Sequence, residues 1–152
     1  MRVYEYIAGI WTQLGNDIDG EVADDRCGWA VSLNGSGYRV AVGSPQNDGN
    51  GYNSGSARVY DWNGSSWSQV GSDIDGESFA DNSGISLSLN SSGNILAVGA
   101  IYNQDNGTHS GHVRIYEHIG NSWVQMGGDI DGEGAIDESA RSISLDSVGH
   151  KI

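Results

Sequence analysis

The sequence predicts an all-β protein built from a 56-residue repeat. Three observations carry that reading: short motifs that return at one fixed interval, apolar residues that alternate as in a strand, and glycine and asparagine clusters that punctuate the strands. Arg2-Val3-Tyr4 returns as Arg58-Val59-Tyr60 and Arg114-Ile115-Tyr116, 56 residues apart each time. Trp11, Trp67 and Trp123 keep the same interval, as do Asp17-Ile18-Asp19-Gly20-Glu21, Asp73-Ile74-Asp75-Gly76-Glu77 and Asp129-Ile130-Asp131-Gly132-Glu133. Nothing is inserted or deleted between copies, so loop lengths are constrained along with the strands.

Within one unit, Trp29-Ala30-Val31-Ser32-Leu33 and Ile85-Ser86-Leu87-Ser88-Leu89 alternate with the two-residue period of a strand. Asn34-Gly35-Ser36-Gly37 and Asn90-Ser91-Ser92-Gly93 supply turn residues that tolerate positive φ, and Val40-Ala41-Val42 and Ile95-Leu96-Ala97-Val98 follow, completing a hairpin. A Gly- and Asn-rich loop across residues 43–55 leads to a second hairpin, from Ala57 to Trp62 and back through Ser66-Trp67-Ser68-Gln69-Val70. Four short strands closed by an acidic loop match the size and rhythm of a β-propeller blade. Such a unit cannot cover both faces of its own sheet, so neighbours complete its core, and Trp11, Trp67 and Trp123 are expected there.

The chain divides into a half blade at 1–26, blades at 27–82 and 83–138, and a half blade at 139–152, with two, four, four and two strands expected in turn. These are three blade equivalents, whereas a closed propeller typically takes about four to eight. Three outcomes follow: a longer repeat chain, a closed ring of copies such as a six-bladed dimer, or an open array whose ends pair with the next copy.

Composition narrows the function classes. Of 152 residues 37% are hydrophobic, and 24 glycines stand beside one proline, which fits turn punctuation and excludes collagen. No apolar run approaches a membrane span, so no membrane insertion is expected. Seven Lys and Arg against 20 Asp and Glu give a net charge of −13, which repels a phosphate backbone and argues against nucleic acid as a partner. The single cysteine, Cys27, reads as a free buried thiol. The opening Met1-Arg2-Val3-Tyr4-Glu5-Tyr6 has no apolar core after a basic start, so no secretory signal is expected there.

Cys27-Gly28-Trp29-Ala30-Val31, Val42-Gly43-Ser44-Pro45 and Gly55-Ser56-Ala57-Arg58-Val59-Tyr60 resemble, in order, the Phe-Gly, Gly-Ala-Pro and Gly-x-Val-Tyr signatures of FG-GAP repeats. Ser83-Gly84-Ile85, Val98-Gly99-Ala100 and Gly111-His112-Val113-Arg114-Ile115-Tyr116 repeat the series, so the resemblance spans nearly the whole chain. It implies blades like those of the integrin α-subunit propeller and an extracellular, adhesive setting. The family's Asp-rich calcium loop lies between its first two strands; here that place holds Asn34-Gly35-Ser36-Gly37, Asn90-Ser91-Ser92-Gly93 and Asp146-Ser147-Val148-Gly149, so its calcium site is not carried over.

The strongest constellation for chemistry is the acidic loop: Asp17, Asp19, Glu21 and Asp25, with equivalents Asp73, Asp75, Glu77 and Asp81, and Asp129, Asp131, Glu133 and Asp137. Alternating carboxylates around a glycine turn suit a hard cation such as calcium, but the run lacks the spacing of an EF-hand loop. Turn capping and solubility explain the same residues without an ion, so no metal and no cofactor are assigned. His109, His112 and His118 are not expected to share an ion, because six residues of strand from His112 to His118 span about 20 Å. No nucleophile, base and orienting partner stand out together, so no catalysis is expected. Tyr38, Tyr52 and Tyr102 are the aromatics to test as sugar-stacking contacts.

The expected function is therefore a non-enzymatic structural or adhesion module, extracellular or at a bacterial cell surface, whose partner is itself or further repeats of a longer chain. The alternative is a carbohydrate-binding, lectin-like propeller with glycans as partners.

Overall fold

The computed structural model describes residues 1–152 and contains strands and turns without a helix. The chain opens with a hairpin of β1 (Tyr4–Ile7) and β2 (Ile10–Gln13), joined by Ala8 and Gly9, both at positive φ (50° and 91°). That pair of conformations matches the twist of the flanking strands in a two-residue turn.

Two larger antiparallel sheets follow. The first has the order β3 (Val31–Leu33), β4 (Arg39–Ser44), β5 (Ser56–Trp62) and β6 (Trp67–Gln69). The second repeats it with β8 (Ser83–Leu89), β9 (Ile95–Ala100), β10 (His112–Ile119) and β11 (Ser122–Gln125). Register recurs as well: Tyr4 faces Gln13, Tyr60 faces Gln69 and Tyr116 faces Gln125. Both sheets are open, and neither closes into a ring.

Each sheet also holds a fifth short strand that the alternation pattern does not predict. β7 (Ile74–Asp75) pairs with the start of β5, and β12 (Ile130–Asp131) pairs with the start of β10. The centre of the acidic loop is thus a ladder, and it fastens the carboxylates beside the opening residues of the third strand of the sheet.

The expected two strands in residues 139–152 do not form. Shifted by 56, the equivalent of β9 would occupy 151–156, and only Lys151 and Ile152 are available to pair. Strand distribution is thus two, five, five and none. The segment still docks as a repeat would. Ser91 N–H donates to the Ser147 carbonyl at 3.0 Å, just as Gly35 N–H donates to Ser91 at 2.9 Å. Leu145 N–H reaches Ser88 Oγ at 2.8 Å, just as Leu89 N–H reaches Ser32 Oγ at 2.9 Å.

The core lies between successive units. The largest cluster joins Ala41, Ala57, Val59 and Ile74 of the first sheet to Leu87, Leu89, Leu96 and Val98 of the second. Ile18, Val40 and Val42 join the N-terminal segment to the first sheet, with Cys27 half-buried against them, and Ala97, Val113 and Ala140 join the second sheet to the C-terminal segment. The sheets approach closely enough at Gly43 that an added Cβ would collide with the Gly84 carbonyl. Only a residue without a side chain fits that approach.

Candidate functional site at the seam between repeats

The three tryptophans at the repeat interval do not share one environment. Trp67 donates its indole N–H to the Leu14 carbonyl at 2.8 Å, and Trp123 donates to Val70 at 3.0 Å, so each grips the unit before it. Both are half-buried rather than enclosed, one beside Ile18 and Val40, the other beside the main cluster. Gly15 and Gly71 make room: a Cβ at Gly15 would stand 2.6 Å from the Trp62 ring, and one at Gly71 would stand 2.9 Å from Trp123. Trp11, expected in the core, is 67% exposed and its ring leans on Tyr6, at 5.2 Å between ring centres. The carbonyl that would accept its indole lies 53 positions earlier in the repeat frame, before Met1. Burial of this tryptophan is a property of the seam, so it is absent where no seam is present.

The acidic loops are tied down by the protein's own donors. Asp17 accepts from Arg2 Nε (3.0 Å) and Gln13 (2.9 Å), Asp73 from Arg58 Nε (2.8 Å) and Gln69 (2.6 Å), and Asp129 from Arg114 (2.6 Å) and Gln125 (2.6 Å). Arg58 also pairs with Glu21, and Arg114 with Glu77. Burial opposes the charge on Arg58 and Arg114, but hydrogen bonds to Asp73 and Asp129 outweigh it and hold both guanidinium groups above their ordinary value. The Arg114 hydrogen bond keeps the Asp129 carboxyl below the usual carboxylate range.

Asp25 and Asp81 are buried and cap their own loops by accepting from Val22 N–H (3.1 Å) and Ser78 N–H (3.0 Å), while Asp137 caps Gly134 from an exposed position. Burial pushes the Asp81 carboxyl up, against the pull of Asn103 and Ser78. Burial likewise raises Asp75, reinforced by Asp73 and Glu21. Asp19, Asp131 and Glu133 stay exposed.

One group breaks this pattern. Ligand atoms of Glu77, Asp105, His112 and Asp129 all lie within 4.8 Å of one another, around the Arg114 pair. The three histidines singled out by sequence face different partners: His109 meets Tyr102 at 4.8 Å, His118 meets Trp123 at 5.0 Å, and His112 faces this group. Asp105 was not anticipated. The signal that finds it is departure from the repeat, because the equivalent of Asp105 is Gly49 and the equivalent of His112 is Ser56.

Tyr38, Tyr52 and Tyr102 lie at separate places. Tyr38 is exposed beside a shallow hollow of about 300 Å³ shared with Arg39, Asp61 and Trp62. Tyr52 is exposed and leans on Phe79 at 5.7 Å. Tyr102 lines a hollow of about 340 Å³ with Arg26, Trp29, Ile85 and Arg141. None recurs, since the repeat equivalents are Asn94, Thr108 and Gln46.

No curated protein matches the chain. A family model described as FG-GAP repeat matches residues 18–60, a stretch that covers the first acidic loop beyond Asp17, β3, β4 and most of β5. Over those residues the chain is similar to an FG-GAP repeat, within an all-β domain of repeated four-stranded antiparallel sheets.

Proposed function

We propose that the chain is a non-enzymatic structural or adhesion module of propeller type, extracellular or at a bacterial cell surface, whose repeats are completed by tail-to-head pairing with a second copy or by further repeats of a longer chain. One observation carries the reading: the two ends present complementary halves of the interior seam. Trp11 projects an unused indole at the head, while Gly127, with nothing within 4 Å of a virtual Cβ, is the tail equivalent of the glycines that seat Trp67 and Trp123. Beside it, Met126 supplies the carbonyl equivalent to Leu14 and Val70. Ile130 tells the same story, being 45% exposed where Ile18 and Ile74 are each 6% exposed beneath the next unit. Pairing of these ends is heterologous, so it gives a ring if the rotation closes and a filament if it does not.

Sedimentation velocity over a range of concentrations tests this. The expected mass rises above the 16.1 kDa of one chain, and Trp11→Ala returns it to the monomer without loss of folded signal. A concentration-independent monomer overturns pairing between copies. Carbohydrate binding is the second reading, favoured by the hollow that sets Trp29 and Tyr102 beside two arginines; glycan-array binding lost in Tyr102→Ala would support it.

A further inference from the structure

We propose that Glu77, Asp105, His112 and Asp129 form a site for one divalent transition-metal ion of the Zn2+ type. The four residues come from two successive repeats: Glu77 follows β7 in the first, while in the second Asp105 lies in the connection from β9 to β10, His112 opens β10 and Asp129 precedes β12. An acidic cluster closed by an arginine would by itself be an ion-pair network. Two further observations point to an ion here, the first an unpartnered buried atom at a position where Ser56 Oγ of the preceding repeat is also buried and unpartnered, but where this repeat places a metal-binding imidazole.

The first is His112. Its side chain is 96% buried, yet its Nδ1 has no hydrogen-bond partner and faces Asp129 Oδ2 at 3.6 Å, too far for a hydrogen bond. A buried ring nitrogen left unpaired costs stability, and an ion held between it and the carboxylates removes that cost.

The second is the repeat itself. The preceding copy has Glu21, Gly49, Ser56 and Asp73 around Arg58 in the same frame, so it keeps the two carboxylates and the arginine but lacks the other two ligands. Two substitutions in the later copy, glycine to Asp105 and serine to His112, add a carboxylate and an imidazole at one spot.

Charge and ligand type agree. With His112 neutral, the three carboxylates against Arg114 leave two net negative charges, which a divalent ion balances. One imidazole with carboxylate oxygens suits Zn2+ and its neighbours, whereas Ca2+ takes about six to eight oxygen ligands. Each carboxylate oxygen has a second lone pair, so Glu77 and Asp129 can serve the guanidinium and an ion together.

The test is calorimetric titration of the full, chelator-stripped chain with Zn2+, with the visible absorption of Co2+ as a second readout. One equivalent is expected, lost in His112→Ser and weakened at least tenfold in Asp105→Gly. Both changes restore the residue that the preceding repeat already carries, so the fold should be retained by circular dichroism. His109→Asn, His118→Asn and His150→Asn should bind as before. Absence of Zn2+ uptake, uptake unchanged in His112→Ser, or uptake lost with any of the other three histidines overturns the site.

Discussion

The hairpin of β1 and β2 and the hairpin of β5 and β6 are the same piece of the repeat, yet they live in different surroundings. Both pair Tyr with Gln in the same register. All of β2 is exposed, as is most of β1, whereas β5 begins with four buried residues and its neighbour Trp67 is tied to Leu14. Backbone pairing is therefore encoded within one unit, while burial is conferred by the next. A repeat sequence contains the strand and only half of its core.

The comparison is broken most directly at Leu96, fully buried where the two large sheets meet. Leu96→Ala is expected to cost about 2 to 5 kcal/mol in denaturant unfolding. A smaller loss follows at the tryptophans. Trp67→Ala removes a half-buried ring and its hydrogen bond and should cost about 2 to 3 kcal/mol, at or below the low end for a fully buried aromatic. Trp11→Ala, measured at a concentration where the chain is a monomer, should stay within about 0.5 kcal/mol of the parent. Equal losses at the two positions would erase the distinction between interior and exposed seams.

Glycine sharpens the same contrast on a finer scale. Gly71→Ala meets both positive φ and the Trp123 ring, whereas Gly127→Ala meets positive φ alone. The first should therefore destabilise by about 1 kcal/mol more than the second, the order of a single unfavourable fit.

The smallest effect expected is acid lability. Asp129 titrates below its ordinary 3.8 in the folded chain, so its stabilising contribution is complete above that value and disappears as pH falls through the lower folded one. Asp129→Asn should accordingly flatten the fall in melting temperature on acidification. Asp81 has the opposite sign: its raised folded value means the folded state gains relative stability as pH falls through it.

Much of the architecture was legible because the interval is exact in Arg2, Arg58 and Arg114 and the turns fall between alternating segments. β7 and β12 were not, because a pair of residues has no measurable period and the pairing is between backbones. Trp11 was misplaced for a different reason: an aromatic in a strand looks like core wherever it stands, whereas Trp67 and Trp123 are half-buried only because each is tied to the unit before it. Of the metal-type cluster, Glu77 and Asp129 were visible within the acidic loops, but Asp105 is distant in sequence from both and gains meaning only when aligned against Gly49.

Ser91 occupies a singular position, since its carbonyl accepts from Gly35 and its own amide donates to Ser147. The amide hydrogens of Gly35 and Ser91 are thus timers for two separate events. Gly35 exchanges with solvent when the first sheet parts from the second, and Ser91 exchanges when the C-terminal segment lifts away. Deuterium uptake at these two positions would time each opening separately, so fraying of the tail could be distinguished from parting of the sheets within one experiment.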